Sequence, residues 1–213
     1  MKLLLCPICK SELTQYGNSL RCEKSHFFDL AREGYVNLLT GSKSGELIGD
    51  NADMARCRKN FLDKGYFQPL AERICEIINE SNSRTVVDIC CGEGYYTEAL
   101  AKSLPRLKFY GFDISREMGR LAAKRRCGAN FFVANLASIP VANKSVDAAV
   151  HLFAPFNETE FSRILAPDGV LLSVIPGKDH LMGLKKVLYD VPYETDEGEP
   201  QTEALQIVQS VRV

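Results

Sequence analysis

The sequence holds no apolar run long enough to cross a bilayer, so no membrane-spanning helix is expected. It has no recognisable export signal, since Leu3-Leu4-Leu5 is too short for a signal-peptide core and no small-residue cleavage site follows. It has almost no net charge, −1 from 26 basic and 27 acidic residues, so charge alone assigns no polyanionic partner. It has no internal repeat and no low-complexity tract. Cysteine, by contrast, is plentiful. Eight cysteines without an export signal point to a reducing compartment, the cytoplasm, where they act as metal ligands or free thiols and not as a disulfide framework. An apolar fraction of 46% supports a real core, and 213 residues suffice for one α/β domain plus something small.

The charges are unevenly spread. Asp190 to Glu203 holds six acids and no base, which leaves a mild basic excess upstream. Its clusters, Arg56/Arg58/Lys59, Lys124/Arg125/Arg126 and Lys178/Lys185/Lys186, read as solvated helix faces.

Residues 6 to 26 read C-P-I-C, twelve residues, then C-E-K-S-H. Cys6 and Cys9 form a knuckle whose two thiolates turn toward one ion, and a hairpin turn at Tyr16 to Leu20 returns Cys22 and His26 to it. Three sulfurs and one imidazole make a closed tetrahedral Zn²⁺ site, structural and not catalytic. So short a segment needs the metal to fold. Phe27 to Leu30 and Gly34 to Leu39 are expected to complete this ribbon, with their aromatics packed beneath the metal. Residues 40 to 50 read as a linker. The chain thus divides into a module at 1–39, a linker and helix at 40–60, and a cofactor domain at 61–213.

Two helices precede the first long strand. Asp53 to Asp63 carries Met54, Cys57 and Phe61 on one face, and Pro69 to Asn79 carries Leu70, Ile74, Ile77 and Ile78. From Thr85 strands alternate with helices. Strands are expected at 85–89, 108–112, 130–134, 146–152 and 169–175, and helices at 95–103, 115–126, 158–165 and 179–189. This is an α/β chain with a Rossmann-like, doubly wound parallel sheet. Ligands bind beyond the carboxyl ends of such strands, here Asp88, Asp113, Asn135 and Phe153 to Asn157.

The stretch Thr85 to Thr97, TVVDICCGEGYYT, is the organising feature: a β-branched strand, an acid, a glycine turn at Gly92 and Gly94, and a helix start. It matches neither the dinucleotide pattern G-x-G-x-x-G nor a P-loop. With Asp113 one βαβ unit later and Leu165-Ala166-Pro167-Asp168-Gly169 turning before a strand, it fits S-adenosylmethionine. Asp113 is placed to accept both ribose hydroxyls, or to cap the next helix. Asp88 orients the loop or meets the methionine ammonium. Asn135 reads the adenine or is a plain turn asparagine. Phe153, Pro155, Phe156 and Asn157 form a floor for a target base, with Phe153 or Phe156 stacking and Asn157 bonding its edge. No residue declares itself as general base.

These motifs, with Ala31 to Leu39, Gly49-Asp50, Phe61-Leu62-Asp63, Gln68-Pro69-Leu70, Cys91 to Thr97, Ala154-Pro155 and Pro176 through Met182, resemble one family over the whole chain. It is the bacterial 23S ribosomal RNA (guanine-N1)-methyltransferase family, large-subunit methyltransferase A. The resemblance implies a zinc ribbon for RNA recognition, a class I methyltransferase domain, a 23S rRNA hairpin as substrate and a homodimer. It also implies cofactor contacts at Phe67, Gly92, Glu93 and His180, alongside Gly94 in the loop. Three departures stand out. Cys90 replaces the first loop glycine, so its side chain crowds the cofactor or the turn takes φ < 0; Phe67 replaces a tyrosine; and Val213 comes earlier than the resemblance leads one to expect. Leu205 to Val213 alternates like the first strand of a closing hairpin, and a truncated domain is the expectation. Two other readings fit the same residues: a small-molecule methyltransferase with an accessory zinc module, and an inactive cofactor-binding RNA-binding protein.

Overall fold

A computed structural model of the chain describes residues 3–40, 49–195, 198 and 200–213. The linker expected at 40–50 lies for most of its length outside the described residues. Strands β1 (Thr14–Tyr16), β2 (Ser19–Arg21) and β3 (Phe27–Asp29) form an antiparallel sheet. Then come β4 (Val36–Asn37), α1 (Ala52–Leu62), α2 (Gln68–Glu80), β5 (Thr85–Ile89), α3 (Tyr95–Ser103), β6 (Lys108–Asp113) and α4 (Arg116–Lys124). The chain continues with β7 (Asn130–Val133), β8 (Val146–Leu152), α5 (Glu158–Ile164), β9 (Leu165–Val174) and α6 (Met182–Leu188). A second, parallel sheet runs β4-β7-β6-β5-β8-β9. The strand order reverses at β5, so the ligand crevice lies at the carboxyl ends of β5 and its neighbours.

The central strands are apolar on both faces, as a covered parallel sheet requires. Val86, Ala148 and Val150 face Ile74 and Ile78 of α2 and Leu100 of α3. Val87, Ile89, Phe112 and Phe132 face the other way, onto Leu4, Leu13 and Leu20 of the amino-terminal module and Phe161 and Ile164 of α5. The module therefore has no core of its own; its apolar residues are continuous with the sheet.

Gly34 to Leu39 touches the ribbon, with Val36 bridging Leu30 and the Ala31 N–H donating to the Tyr35 carbonyl oxygen at 2.8 Å, and Val36 and Asn37 also pair in parallel with Phe132 and Val133. Four expectations need correction. Of the aromatics expected beneath the metal, Tyr35 packs instead toward Cys91 and Phe131. In α1 the buried residue is Ala55, while Met54, Cys57 and Phe61 are exposed, and polar contacts at Asp50 and Asp63 hold the two ends of the helix. The Leu165 to Gly169 turn lies inside β9: Val146 pairs with Leu165 but Ala148 with Val170, so the intervening residues bulge. Only glycine fits there, since a Cβ on Gly169 would stand 2.9 Å from the Val146 carbonyl oxygen. Last, residues 205–213 form no strand. The N–H groups of Glu203, Ala204 and Leu205 instead donate to Glu158 Oε1 at 2.9, 2.8 and 3.1 Å, and β9 ends the sheet.

Arg125 also departs from the solvated role given to its cluster. At the end of α4 its side chain is 7% exposed. It pairs with Glu93 in the glycine turn, Glu98 of α3 and, at 2.8 Å, Asp63 after α1. Its Nε also donates to the Glu93 carbonyl oxygen at 2.9 Å. One guanidinium thus joins three elements to the turn, using the planar five-donor fork that lysine lacks. Arg125→Ala leaves the Glu93 carboxylate buried and unpaired. It is expected to cost about 3–5 kcal/mol in denaturant unfolding, with Arg125→Lys recovering only part.

Candidate active site and metal centre

The metal ligands meet as the spacing requires. One ligand atom each from Cys6, Cys9, Cys22 and His26 lie within 4.8 Å of one another. Cys9 Sγ is 3.6 Å from Cys22 Sγ, and His26 Nδ1 is 3.4 Å from Cys6 Sγ and 3.3 Å from Cys22 Sγ. A tetrahedron with metal–sulfur bonds of about 2.3 Å has edges of about 3.8 Å, so these residues fit Zn²⁺ bound through Nδ1. The Ser11 side chain, 3.0 Å from Cys9 Sγ, and its backbone N–H hold the Cys9 thiol down to about 6, toward the thiolate a metal needs. The module seats beside the end of β7, with Leu5 N–H donating to the Pro140 carbonyl oxygen at 2.9 Å and Lys10 Nζ to Ser138 Oγ at 3.1 Å.

The parallel register brings Asp88, the glycine turn and Asp113 together. Asp88 lies opposite Gly111 on β6 and Val150 on β8, and is 1% exposed. Thr97 Oγ1 donates to its Oδ2 at 2.5 Å, while Oδ1 is buried without a partner. Burial pushes the Asp88 carboxyl up to about 7; Thr97 opposes this, and Asp113 and Glu93 add to it. Asp113 Oδ2 accepts the Gly92 N–H at 3.0 Å and Oδ1 accepts the Ser115 N–H at 2.9 Å. Each oxygen keeps a second lone pair. The cap of α4 is Ser115, not Asp113: Ser115 Oγ accepts the Met118 N–H at 3.3 Å and donates to the Asp50 carbonyl oxygen at 2.6 Å.

Gly92, at φ +55°, has open space where a Cβ would stand, and Gly94, at φ +83°, packs 3.0 Å from Ala122. Cys90 holds φ +56°, so the second option for this departure, a turn at negative φ, is overturned. The turn keeps the left-handed geometry of a glycine, at a strain of about 1–3 kcal/mol. Burial pushes the Cys90 thiol up to about 12, with Asp113 and Asp88 adding to it, which favours the neutral thiol. The buried unpartnered Asp88 oxygen, the acceptor capacity of Asp113 and the open face of Gly92 fit the ammonium and ribose of S-adenosylmethionine.

The aromatic side of the cleft is also assembled. Phe67, just before α2, lies with its ring centre 6.3 Å from that of Phe153 and 6.5 Å from that of His180, and Phe153 lies 5.2 Å from His180. Burial lowers the His180 imidazole, with Lys185 adding to it. Phe153 holds φ +51° and is 41% exposed.

Other expected residues are occupied elsewhere. Phe156 packs edge-on against Phe161, leaving Phe153 as the exposed ring of the two. Asn157 Oδ1 accepts the Glu160 N–H at 3.2 Å as the cap of α5, and its Nδ2 donates to the Leu136 carbonyl oxygen at 3.2 Å. Asn135 Oδ1 accepts the Ala137 N–H at 2.9 Å, the plain turn role. The Glu93 carboxylate belongs to Arg125.

Two supports escaped the sequence reading. Thr97 is one. The other is His151, 2% exposed, whose Nε2–H donates to the Pro155 carbonyl oxygen at 3.1 Å while Nδ1 accepts from the Ser173 hydroxyl at 3.0 Å. Burial lowers its pKa, so the neutral ring ties the loop after β8 to β9. A histidine in the apolar strand VDAAVHL was the available signal.

Comparison with known proteins agrees with this geometry. Residues 4–43 match the zinc-ribbon family model described as RlmA, N-terminal, and residues 86–169 match the model described as Methyltransferase domain. The chain is 35% identical over 193 residues to the 23S rRNA (guanine(748)-N(1))-methyltransferase of Streptomyces fradiae, covering 88% of this chain and 68% of that one. It is 34% identical over 201 residues to the putative 23S rRNA (guanine-N(1)-)-methyltransferase YxjB of Bacillus subtilis, covering 89% and 70%. In fold it is similar to a putative S-adenosyl-L-methionine-dependent methyltransferase of Methanococcus maripaludis, with TM-score 0.53, 22% identity, and 69% and 74% of the two chains covered.

Two outcomes are expected of the purified protein. Cys9→Ser, or chelation, removes stoichiometric zinc by elemental analysis and raises hydrogen exchange across residues 6–30, while Thr85–Ile89 stays protected. Asp88 binds a proton more tightly folded than unfolded, so its contribution to stability falls as pH rises from about 4 to about 7. A shift from 3.8 to about 7, at about 1.4 kcal/mol per unit, is on the order of 4 kcal/mol. The melting temperature of Asp88→Asn relative to wild type should therefore climb across that range.

Proposed function

Because the chain belongs to the 23S ribosomal RNA (guanine-N1)-methyltransferase family, we propose that it transfers a methyl group from S-adenosylmethionine to N1 of a guanine in a hairpin of 23S ribosomal RNA. The observation that carries the proposal is the union of a closed Cys₃His site with a methyltransferase cleft on one continuous core. In this reading residues 1–39 grasp the RNA, the helix after the linker backs the cofactor loop, and 61–213 perform the transfer. The reading places the protein in the cytoplasm, with ribosomal RNA, as a homodimer.

The bound cofactor supplies an activated methyl on a sulfonium, so the protein's work is positioning and desolvation. Asp113 receives the ribose hydroxyls on the lone pairs its two amide contacts leave. Asp88 presents its unpartnered Oδ1 to the amino-acid end, where a cation returns the carboxyl to its charged form. Gly92 and Gly94 let the backbone approach closely, and Glu93 contributes through its main chain because Arg125 holds its side chain. Phe67 and His180 wall the cofactor. Phe153 stacks on the target base, which must leave its helix or already be unpaired to reach the cleft. Pro155 shapes the floor under the control of His151. Methylation at N1 would release the thioether form of the cofactor and one proton, which passes to solvent because no side chain of the cleft is assigned as base.

Tritium transfer from labelled cofactor onto unmodified ribosomal RNA tests this, with mass spectrometry locating the modified guanine. Wild-type protein labels one guanine. Asp113→Ala lowers kcat/KM by roughly 10²–10³, as expected for two lost charge-assisted hydrogen bonds. A folded, zinc-loaded protein that binds the donor but labels no RNA refutes the assignment.

A further inference from the structure

The amino-terminal sheet has two unlike faces. Leu20 is fully buried and Phe28 packs on the core, on one face. Register places Thr14 opposite Arg21 and Arg21 opposite Phe27, so these three form a row across β1, β2 and β3 on the other face, with Tyr16 two residues beyond Thr14. Tyr16 is 60% exposed and Phe27 51%. The Arg21 guanidinium carbon lies 5.5 Å from the centre of the Tyr16 ring and 5.2 Å from that of Phe27, and the two rings stand edge to face at 6.0 Å. Arg21 Nη2 donates to Ser25 Oγ at 3.1 Å, and among the described residues no carboxylate pairs with this guanidinium.

We propose that Tyr16, Arg21 and Phe27 form a stacking platform for an unpaired nucleobase of the RNA, a proposal that rests on the RNA-methyltransferase reading above. Its chemistry favours a base over a run of phosphates. Residues 3–30 carry Lys10, Arg21 and Lys24 against Glu12, Glu23 and Asp29, a net charge of zero that supplies no backbone-tracking field. What the face offers is π surface on two rings plus one unpaired, planar cation, which stack on bases whatever their identity and complement a single phosphate or a guanine O6. Cross-strand ring pairing also steadies a small sheet. That role does not require both rings and the guanidinium to be solvent-facing. The platform is on the same body as the cleft, since its module seats on Pro140 and Ser138, just past the end of β7.

The full-length, zinc-loaded protein is titrated with a 23S rRNA hairpin carrying 2-aminopurine in its loop, whose fluorescence reports stacking. Wild type quenches the probe. Tyr16→Leu with Phe27→Leu is expected to abolish quenching at one loop position and weaken binding roughly tenfold, with unchanged zinc content and an unchanged slope of log K against log salt. Tyr16→Phe with Phe27→Tyr, which keeps both rings, restores both signals. Tyr16→Leu alone, at the exposed end of β1, gives the partial effect without altering the sheet interior. The proposal is overturned if the double leucine variant binds and quenches as wild type does, or if the ring-preserving variant fails equally. Ring-dependent binding without methyl transfer would instead sink the enzymatic assignment and leave the platform standing.

Discussion

The buried pairing of Arg125 with Glu93 is the constraint on which the rest of the cleft depends. A glycine turn that must present open backbone to a ligand has few side chains of its own to hold it. Here it is held from behind. Glu93 gives up its side chain, and its carbonyl accepts from the same guanidinium. Through Glu98 and Asp63 that guanidinium fixes the start of α3 and the end of α1 relative to α4. The front of the turn is held by Asp113, whose carboxylate takes the Gly92 N–H. An ion pair behind and a backbone hydrogen bond to a carboxylate in front thus keep the loop in a left-handed path that Cys90 would not choose unaided.

Most of the parallel sheet was legible because its strands carry unambiguous patterns. Thr85–Ile89 and Val146–Leu152 are apolar runs of strand length bounded by turn residues, and both appear at the expected positions. The zinc ligands were legible because knuckle spacing is a local property of the backbone. What failed has a common cause, namely partners distant in sequence. Nothing local to Lys124-Arg125-Arg126 distinguishes the middle residue, whose acids lie 32, 27 and 62 positions away. Val36 bridges Leu30 on the ribbon side, and only its second, parallel partner, Phe132, lies beyond local reach. Phe156 and Asn157 follow a strand end, which suggests a cleft-facing place, whereas packing on Phe161 and capping α5 engage them. Periodicity treats the buried strand position of His151 as packing, although a buried imidazole must place two hydrogen bonds somewhere.

The joint between the two sheets gives the metal a longer reach than a folding staple. Val36 and Asn37 add an edge strand to β7, and Leu38 N–H continues the ladder to the Val133 carbonyl oxygen at 2.9 Å. Leu4 bridges to Val141, and Leu13 and Leu20 share the core that contains Ile89 and Phe112. The ends of β6 and β7, which carry Asp113 and precede Asn135, are therefore packed against residues whose own positions the metal fixes. Loss of the metal is therefore felt at the β4–β7 edge of the sheet as well as in the module, while the central strand β5 stays protected.

The acids of the cleft close the argument about ligand charge. Burial raises the proton affinity of both Asp88 and Asp113, Asp113 adds to it at Asp88, and Asp88 leaves one oxygen with no partner. Leaving a buried carboxylate oxygen unsatisfied costs about 1–3 kcal/mol, more when charged. A fold retains that cost where a ligand relieves it. A neutral ligand could satisfy the hydrogen bond but not the charge. A ligand with an ammonium next to a sulfonium relieves both, and its product, the thioether, has lost the second positive charge. Under the proposed reading, these carboxylates therefore meet more positive charge in the donor than in the spent cofactor.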